Sequence, residues 1–184
     1  MRVVGGKSGG VPLMVPKRGT RPTSDKVREA LFSMINEFIE GSKCLDLFAG
    51  SGALGIEALS RGAGSCIFVD VGKESCSAIS SNLKKTRLEQ GFVKKHRVKS
   101  YVQSCRESFD VIFADPPYEF SESKKNIEKL FYSNAFYDIL RIGGIFILET
   151  RSSLSTLKST EELNLKDVRQ YGDTKLNLFI RKST

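Results

Sequence analysis

The sequence is poor in the groups that metal or thiol chemistry needs. Its single histidine is His96, and its four cysteines, Cys44, Cys66, Cys76 and Cys105, form no Cys-x-x-Cys pair. Zinc sites and disulfide frameworks require closer or paired ligands, so neither is expected. A nucleophilic thiol would have no histidine near it in sequence to act as base. Cys44 and Cys66 lie in apolar runs and read as small buried hydrophobes. No apolar stretch approaches the ~18 residues of a membrane span. The N-terminus carries basic residues and glycines with no apolar core after them, so no secretory leader and no membrane association are expected, and the cytoplasm is the expected compartment.

The chain has an excess of positive charge, +8 over 184 residues. At 40% hydrophobic it can fill the core of one α/β domain and is too short for two large ones, so a single domain over residues 1–184, acting as a monomer, is expected. The charge is segregated. Between residues 1 and 28 seven basic side chains face Asp25 alone, and between 84 and 99 seven more face Glu89 alone. Such blocks point to nucleic acid as partner, provided they share a side of the molecule; a merely basic surface is the alternative. Arg18, Arg21, Lys26, Arg28, Lys94, Lys95 and Arg97 are the candidates for phosphate contact. Residues 1–20 read as a basic hairpin or arm, since Gly5-Gly6 and Gly9-Gly10 break its Val-rich pieces and it supplies charge rather than core bulk.

Thr23 or Ser24 can cap a helix in which Val27, Ala30, Leu31, Met34, Ile35, Phe38 and Ile39 recur at three and four, with Gly41 as its stop. The organising stretch follows. Leu45-Asp46-Leu47-Phe48-Ala49 is an apolar run carrying an acid, and it feeds Gly50-Ser51-Gly52 and then a helical pattern through Gly55 to Leu59. That is the strand, tight turn and helix of a nucleotide-like site. Gly50 and Gly52 permit the turn and close ligand approach, and Gly55 lets helix and strand pack closely. The spacing also fits a dinucleotide site or a plain connecting turn. Asp46 favours a ligand with a cationic amino-acid end, such as S-adenosylmethionine, over a pyrophosphate that it would repel.

Ser65–Asp70 reads as a second buried strand whose terminal Asp70 either accepts from ribose hydroxyls or caps the next helix. That helix runs from Gly72 to about Leu88, and a third strand lies within residues 92–102. Phe109–Ala114 is the next clear strand, and it delivers Asp115-Pro116-Pro117-Tyr118. Two prolines stiffen the loop, remove donors and leave carbonyls exposed as acceptors. An exocyclic amine offers two N–H donors, one for Asp115 and one for the Pro116 carbonyl, while Tyr118 offers a face for an unstacked base. Alone, the tetrapeptide could be an ordinary strand-ending turn. Helices over 126–132 and 135–140, a Gly143-Gly144 turn, a fifth strand at Ile145–Glu149, and a hairpin of 165–170 and 175–181 around Tyr171-Gly172-Asp173-Thr174 complete the pattern. The expected fold is α/β, with an antiparallel hairpin closing a mostly parallel sheet.

These pieces, together with Gly19-Thr20-Arg21-Pro22-Thr23-Ser24-Asp25-Lys26-Val27-Arg28, resemble the RsmD family of bacterial ribosomal RNA methyltransferases. The resemblance implies a Rossmann-like class I fold with seven strands and helices on both faces. It implies transfer of a methyl from S-adenosylmethionine to the 2-amino nitrogen of a guanine in small-subunit ribosomal RNA, leaving S-adenosylhomocysteine. By matching positions Asp46, Gly50 and Gly52 hold the methionine end, Asp70 the ribose, with Phe48 also against the cofactor, and Asp115, Pro116, Pro117 and Tyr118 hold the guanine. The chain departs from the pattern at one place: no Asp or Glu occurs between Glu89 and Glu107, where class I enzymes usually place an acid near the adenine, so Ser100 or a backbone group would substitute. A DNA adenine-N6 methyltransferase, a nicotinamide-dependent dehydrogenase and a non-catalytic RNA-binding module are the competing readings.

Overall fold

The computed structural model describes residues 1–16, 24–117, 120 and 123–183. Seven strands form one sheet: β1 (Lys43–Leu47), β2 (Ser65–Asp70), β3 (Gly91–Lys95), β4 (Phe109–Ala114), β5 (Leu140–Arg151), β6 (Leu163–Tyr171) and β7 (Thr174–Arg181). Their order is β3-β2-β1-β4-β5-β7-β6. The first five are mutually parallel, and β7 runs antiparallel between β5 and β6. The order reverses between β1 and β4, which opens a crevice above the carboxyl ends of the parallel strands.

Alternation along the strands fills two cores. Cys44, Cys66, Phe68, Val111, Phe113, Ile145 and Ile147 join helices α1 (Asp25–Met34), α2 (Ala53–Ser60) and α3 (Lys73–Thr86) on one face. On the other face Leu45, Leu47, Val69, Ile112, Ala114, Phe146 and Leu148 meet α4 (Val98–Ser104), α5 (Lys124–Phe131) and α6 (Asn134–Ile139). Period-two apolar strands buried on both sides are what a parallel sheet sandwiched by helices demands.

Four expectations change. The first helix is capped by Ser24, whose Oγ accepts from Val27 N at 3.3 Å, but it gives way at Ile35 to a 3-10 turn over Asn36–Phe38 before Gly41. The third strand is only Gly91–Lys95, and residues 98–104 are helical, Val98 and Val102 being one helical turn apart and both buried. Gly143-Gly144 lies inside β5, where the β4 register shifts between Phe109 and Val111.

The fourth concerns residues 1–16, which carry core bulk after all: Val3 and Leu13 are buried. Glu57 on α2 accepts from Val4 N and Gly5 N, both at 2.7 Å, and Asn82 on α3 donates to Met14 O at 2.9 Å and accepts from Met14 N at 2.7 Å. These side chains take up backbone groups of residues 4, 5 and 14, which ties this segment to the first helical layer.

Candidate active site

The polypeptide leaves β1 in a strained conformation. Phe48 has φ +58°, in the left-handed region that a bulky side chain adopts only when its surroundings hold it there, and its ring packs on Phe120 with centroids 5.4 Å apart. Gly50 and Gly52 follow at φ +54° and +76°. Gly55 meets the packing requirement: a Cβ there would lie 2.4 Å from the Phe68 ring and 2.6 Å from Cys66 Sγ. Asp46 sits beneath this turn with 2% of its surface exposed, and its Oδ2 accepts from Gly55 N at 3.0 Å. Burial, with a smaller contribution from Asp70, pushes its carboxyl up to about 8. The carboxylate expected to meet a ligand thus holds α2 against β1 from below.

Asp70 ends β2 and joins two turns. Its Oδ2 accepts from Gly50 N at 2.9 Å and its Oδ1 from Gly72 N at 2.7 Å. A carboxylate has about four acceptor positions, so two stay available for hydroxyl groups above it. Gly72, rather than Asp70, occupies the N-cap position of α3.

A cavity of about 420 Å³ opens over these strand ends. Phe48 and Asp70 line it on one side, Asp115 and Pro117 on another, and Arg97 to Ser100 at the start of α4 on a third. Where the missing acid would stand, Arg97–Ser100 bring a hydroxyl at Ser100, which can accept a hydrogen bond, and a rim made cationic by Arg97 and Lys99. Val71 and Ser75 also line it. Val71 is 61% exposed, an apolar surface suited to a flat ring. The sequence signal for Val71 is its place directly after the strand-ending acid.

Asp115 follows β4 with its N–H donated to Leu47 O at 3.4 Å, linking the two strand ends across the switch point. Pro116 is buried and Pro117 exposed. The structure thus brings Phe48, Asp70, Asp115 and Pro117 to one rim, with Gly50 tied to it through Asp70. Tyr118, Arg18 and Arg21 lie outside the described residues.

The basic candidates separate. Lys94, Lys95 and Arg97 are exposed at the carboxyl end of β3, and Lys26 is exposed on α1. Lys84 and Lys85 lie in the last turn of α3, which returns to the opposite end of the sheet, so the 84–99 block is not one patch. Arg28 is a correction. It is 0% exposed, and its Nη2 donates to Asp25 Oδ1 at 2.9 Å and to the Arg2 carbonyl. It therefore joins the N-terminal segment to α1 and presents no cation to solvent.

A family model described as conserved hypothetical protein 95 matches residues 1–180. The chain is 35% identical over 187 residues to YlbH of Bacillus subtilis, whose name assigns it provisionally to the rRNA methyltransferases, covering 99% of this chain and 100% of that one. It is 37% identical over 139 residues to the ribosomal RNA small subunit methyltransferase D of Haemophilus influenzae, covering 73% of this chain and 72% of the relative. The solved structure of yhhF from Escherichia coli superposes with a TM-score of 0.83 at 28% identity, over 100% of this chain and 99% of that one.

Proposed function

Because this chain belongs to the RsmD family, we propose that it transfers a methyl group from S-adenosylmethionine to the 2-amino nitrogen of a guanine in small-subunit ribosomal RNA. One observation carries the proposal: Phe48 and Asp70, the latter accepting from Gly50 N, and Asp115 and Pro117 of the proline loop line the same cavity. A dehydrogenase would have no use for that loop.

The residues suit the donor. The volume of about 420 Å³ lies in the range of sites for small organic ligands. Asp70 has acceptor capacity left for ribose hydroxyls, and Val71 offers a flat apolar contact. Gly52 lets the turn sit tight on the core beneath it, since a Cβ there would lie 3.1 Å from the buried Ile79 and 3.2 Å from the buried Phe68. When bound, S-adenosylmethionine supplies an activated sulfonium methyl and a good leaving group.

The chain's own contribution is alignment. Asp115 accepts one N–H of the amine and the Pro116 carbonyl the other, which directs the nitrogen lone pair toward the donor side of the rim. Asp115 also favours the positive charge that develops on the nitrogen and accepts its proton, or passes it to solvent, afterwards. No covalent intermediate with the protein is required. Arg97, Lys94 and Lys95 border the cavity end of β3 and hold the RNA backbone, sequence-independently. Among the described residues no helix is long and apolar enough to cross a membrane. The proposal makes the enzyme a cytoplasmic monomer acting on an assembled or assembling small subunit.

Incubation with radiolabelled S-adenosylmethionine and unmodified small subunits, followed by digestion to nucleosides, tests it. Label in N2-methylguanosine is expected. Label in N6-methyladenosine, or retention of RNA with no transfer at all, would overturn the reading.

A further inference from the structure

Beyond Asp115 the next parallel strand end along the rim is that of β5. The register pairs Ala114 with Leu148, so the following residues, Asp115 and Glu149, stand side by side, one inter-strand spacing of roughly 5 Å apart. Ala114 and Leu148 belong to the second core, which puts positions 115 and 149 on the opposite face, the one Asp46 occupies. Glu149 does not line the donor cavity. It lies on the β5 side of Asp115, away from β1 and the glycine turn, half-buried between the buried Leu148 and Thr150.

Its surroundings are built to hold it. Thr174 Oγ1 donates to Glu149 Oε1 at 3.3 Å. Asn177, 1% exposed, donates to Leu148 O at 3.0 Å and to Thr150 Oγ1 at 3.1 Å, fixing the residues on either side. Ser152 N donates to Asp173 O at 2.8 Å, which ties the exit of β5 to the β6–β7 turn. Tyr171-Gly172-Asp173-Thr174, distinctive in the sequence yet without a part in the donor cavity, thereby acquires one: it supports the strand end next to the acceptor loop.

Resting on the function proposed above, we propose that Glu149 identifies the acceptor base as guanine by accepting its N1–H, next to the 2-amino group held at Asp115. An ionised carboxylate only accepts hydrogen bonds. Guanine presents N1–H and the 2-amino group as adjacent donors, whereas a base whose ring N1 carries a lone pair would set acceptor against acceptor. A site built around a hydrogen bond rejects an analogue lacking it far more strongly than an apolar pocket rejects a change of size.

The discriminating probe is 2-aminopurine, which keeps the reactive amine but has an unprotonated N1. Small subunits reconstituted from RNA carrying guanine or 2-aminopurine at the target nucleotide are methylated by the full-length protein and by Glu149→Gln, and kcat/KM is compared for the two bases. The wild-type protein is expected to prefer guanine by at least tenfold. Glu149→Gln, whose amide can donate to an unprotonated N1, is expected to narrow that preference at least tenfold while its Kd for S-adenosylhomocysteine stays within threefold. A purely structural role would slow both bases alike and leave the ratio fixed, and that result overturns the inference. Thr174→Val, which removes only the hydroxyl holding Oε1, should narrow the ratio in the same direction by a smaller factor, and it decides the matter if Glu149→Gln does not fold. Guanine methylation with an unchanged ratio in both variants sinks this inference alone, whereas no methylation by the wild-type protein overturns the function reading as well.

Discussion

Replacing Asp46 by Asn tests whether the acid beneath the glycine turn is a structural group whose ionisation the fold opposes. Its carboxyl is 2% exposed, receives one hydrogen bond from Gly55 N–H at 3.0 Å, and is pushed from 3.8 to about 8 mainly by burial. Each unit corresponds to ~1.4 kcal/mol, so the raised value costs the folded state on the order of 5 kcal/mol at alkaline pH. The direction follows from proton counting. Below about pH 4 both states hold the proton and there is no cost. Between the two pKa values the unfolded chain has lost its proton and the folded chain has not, so stability falls with rising pH by up to ~1.4 kcal/mol per unit, then levels off above the folded value. Asn keeps an oxygen for Gly55 N–H and removes the titration. Urea unfolding of both proteins at about pH 5 and about pH 8 should therefore show the variant gaining roughly 4 kcal/mol relative to wild type across that window. A difference between the two proteins that does not change with pH would refute the reasoning.

Gly55→Ala places a methyl 2.4 Å from Phe68, a ring locked in the core, and should cost ~1–3 kcal/mol in thermal unfolding, with partial rescue by Phe68→Leu. An unchanged Tm would contradict the packing. Asp115→Ala should abolish methyl transfer while calorimetry finds S-adenosylhomocysteine affinity within about threefold of wild type; normal turnover would remove Asp115 from the mechanism. Arg28→Ala should cost ~1–3 kcal/mol of stability and leave RNA affinity intact, because its guanidinium is buried against Asp25 and the Arg2 carbonyl. Arg97→Ala should do the reverse, weakening RNA binding and lowering the salt dependence by about one counterion. Unfolding curves and filter binding over a salt series distinguish the two patterns.

The strands that build the rim were legible because each is an unbroken apolar run closed by a residue of distinct chemistry: Ser65–Asp70 and Phe109–Ala114 stand where the sequence places them. The glycine turn was legible from spacing, and its strain at Phe48 was not, since nothing in a phenylalanine codon position marks a left-handed φ. The third strand stands at the start of the expected 92–102 window, and the helix after it is not legible because Val98 and Val102 suit a strand by composition and seven residues leave little periodicity to detect. Arg28 and the N-terminal segment failed for another reason. Their partners lie far away in sequence: Glu57 is 53 residues from Val4, and Asn82 is 68 from Met14. A charged residue on a helix reads as solvent-facing until the chain that covers it is in place.

The crystal structure of the complex with S-adenosylhomocysteine tests the central claim most directly, because alignment across one rim depends on which end of the ligand points at the acceptor loop. The account predicts ribose hydroxyls on Asp70, the nucleobase between Val71 and Ser100, and the sulfur facing Asp115. A ligand turned end for end, or bound away from the Gly50–Gly52 turn, would contradict it.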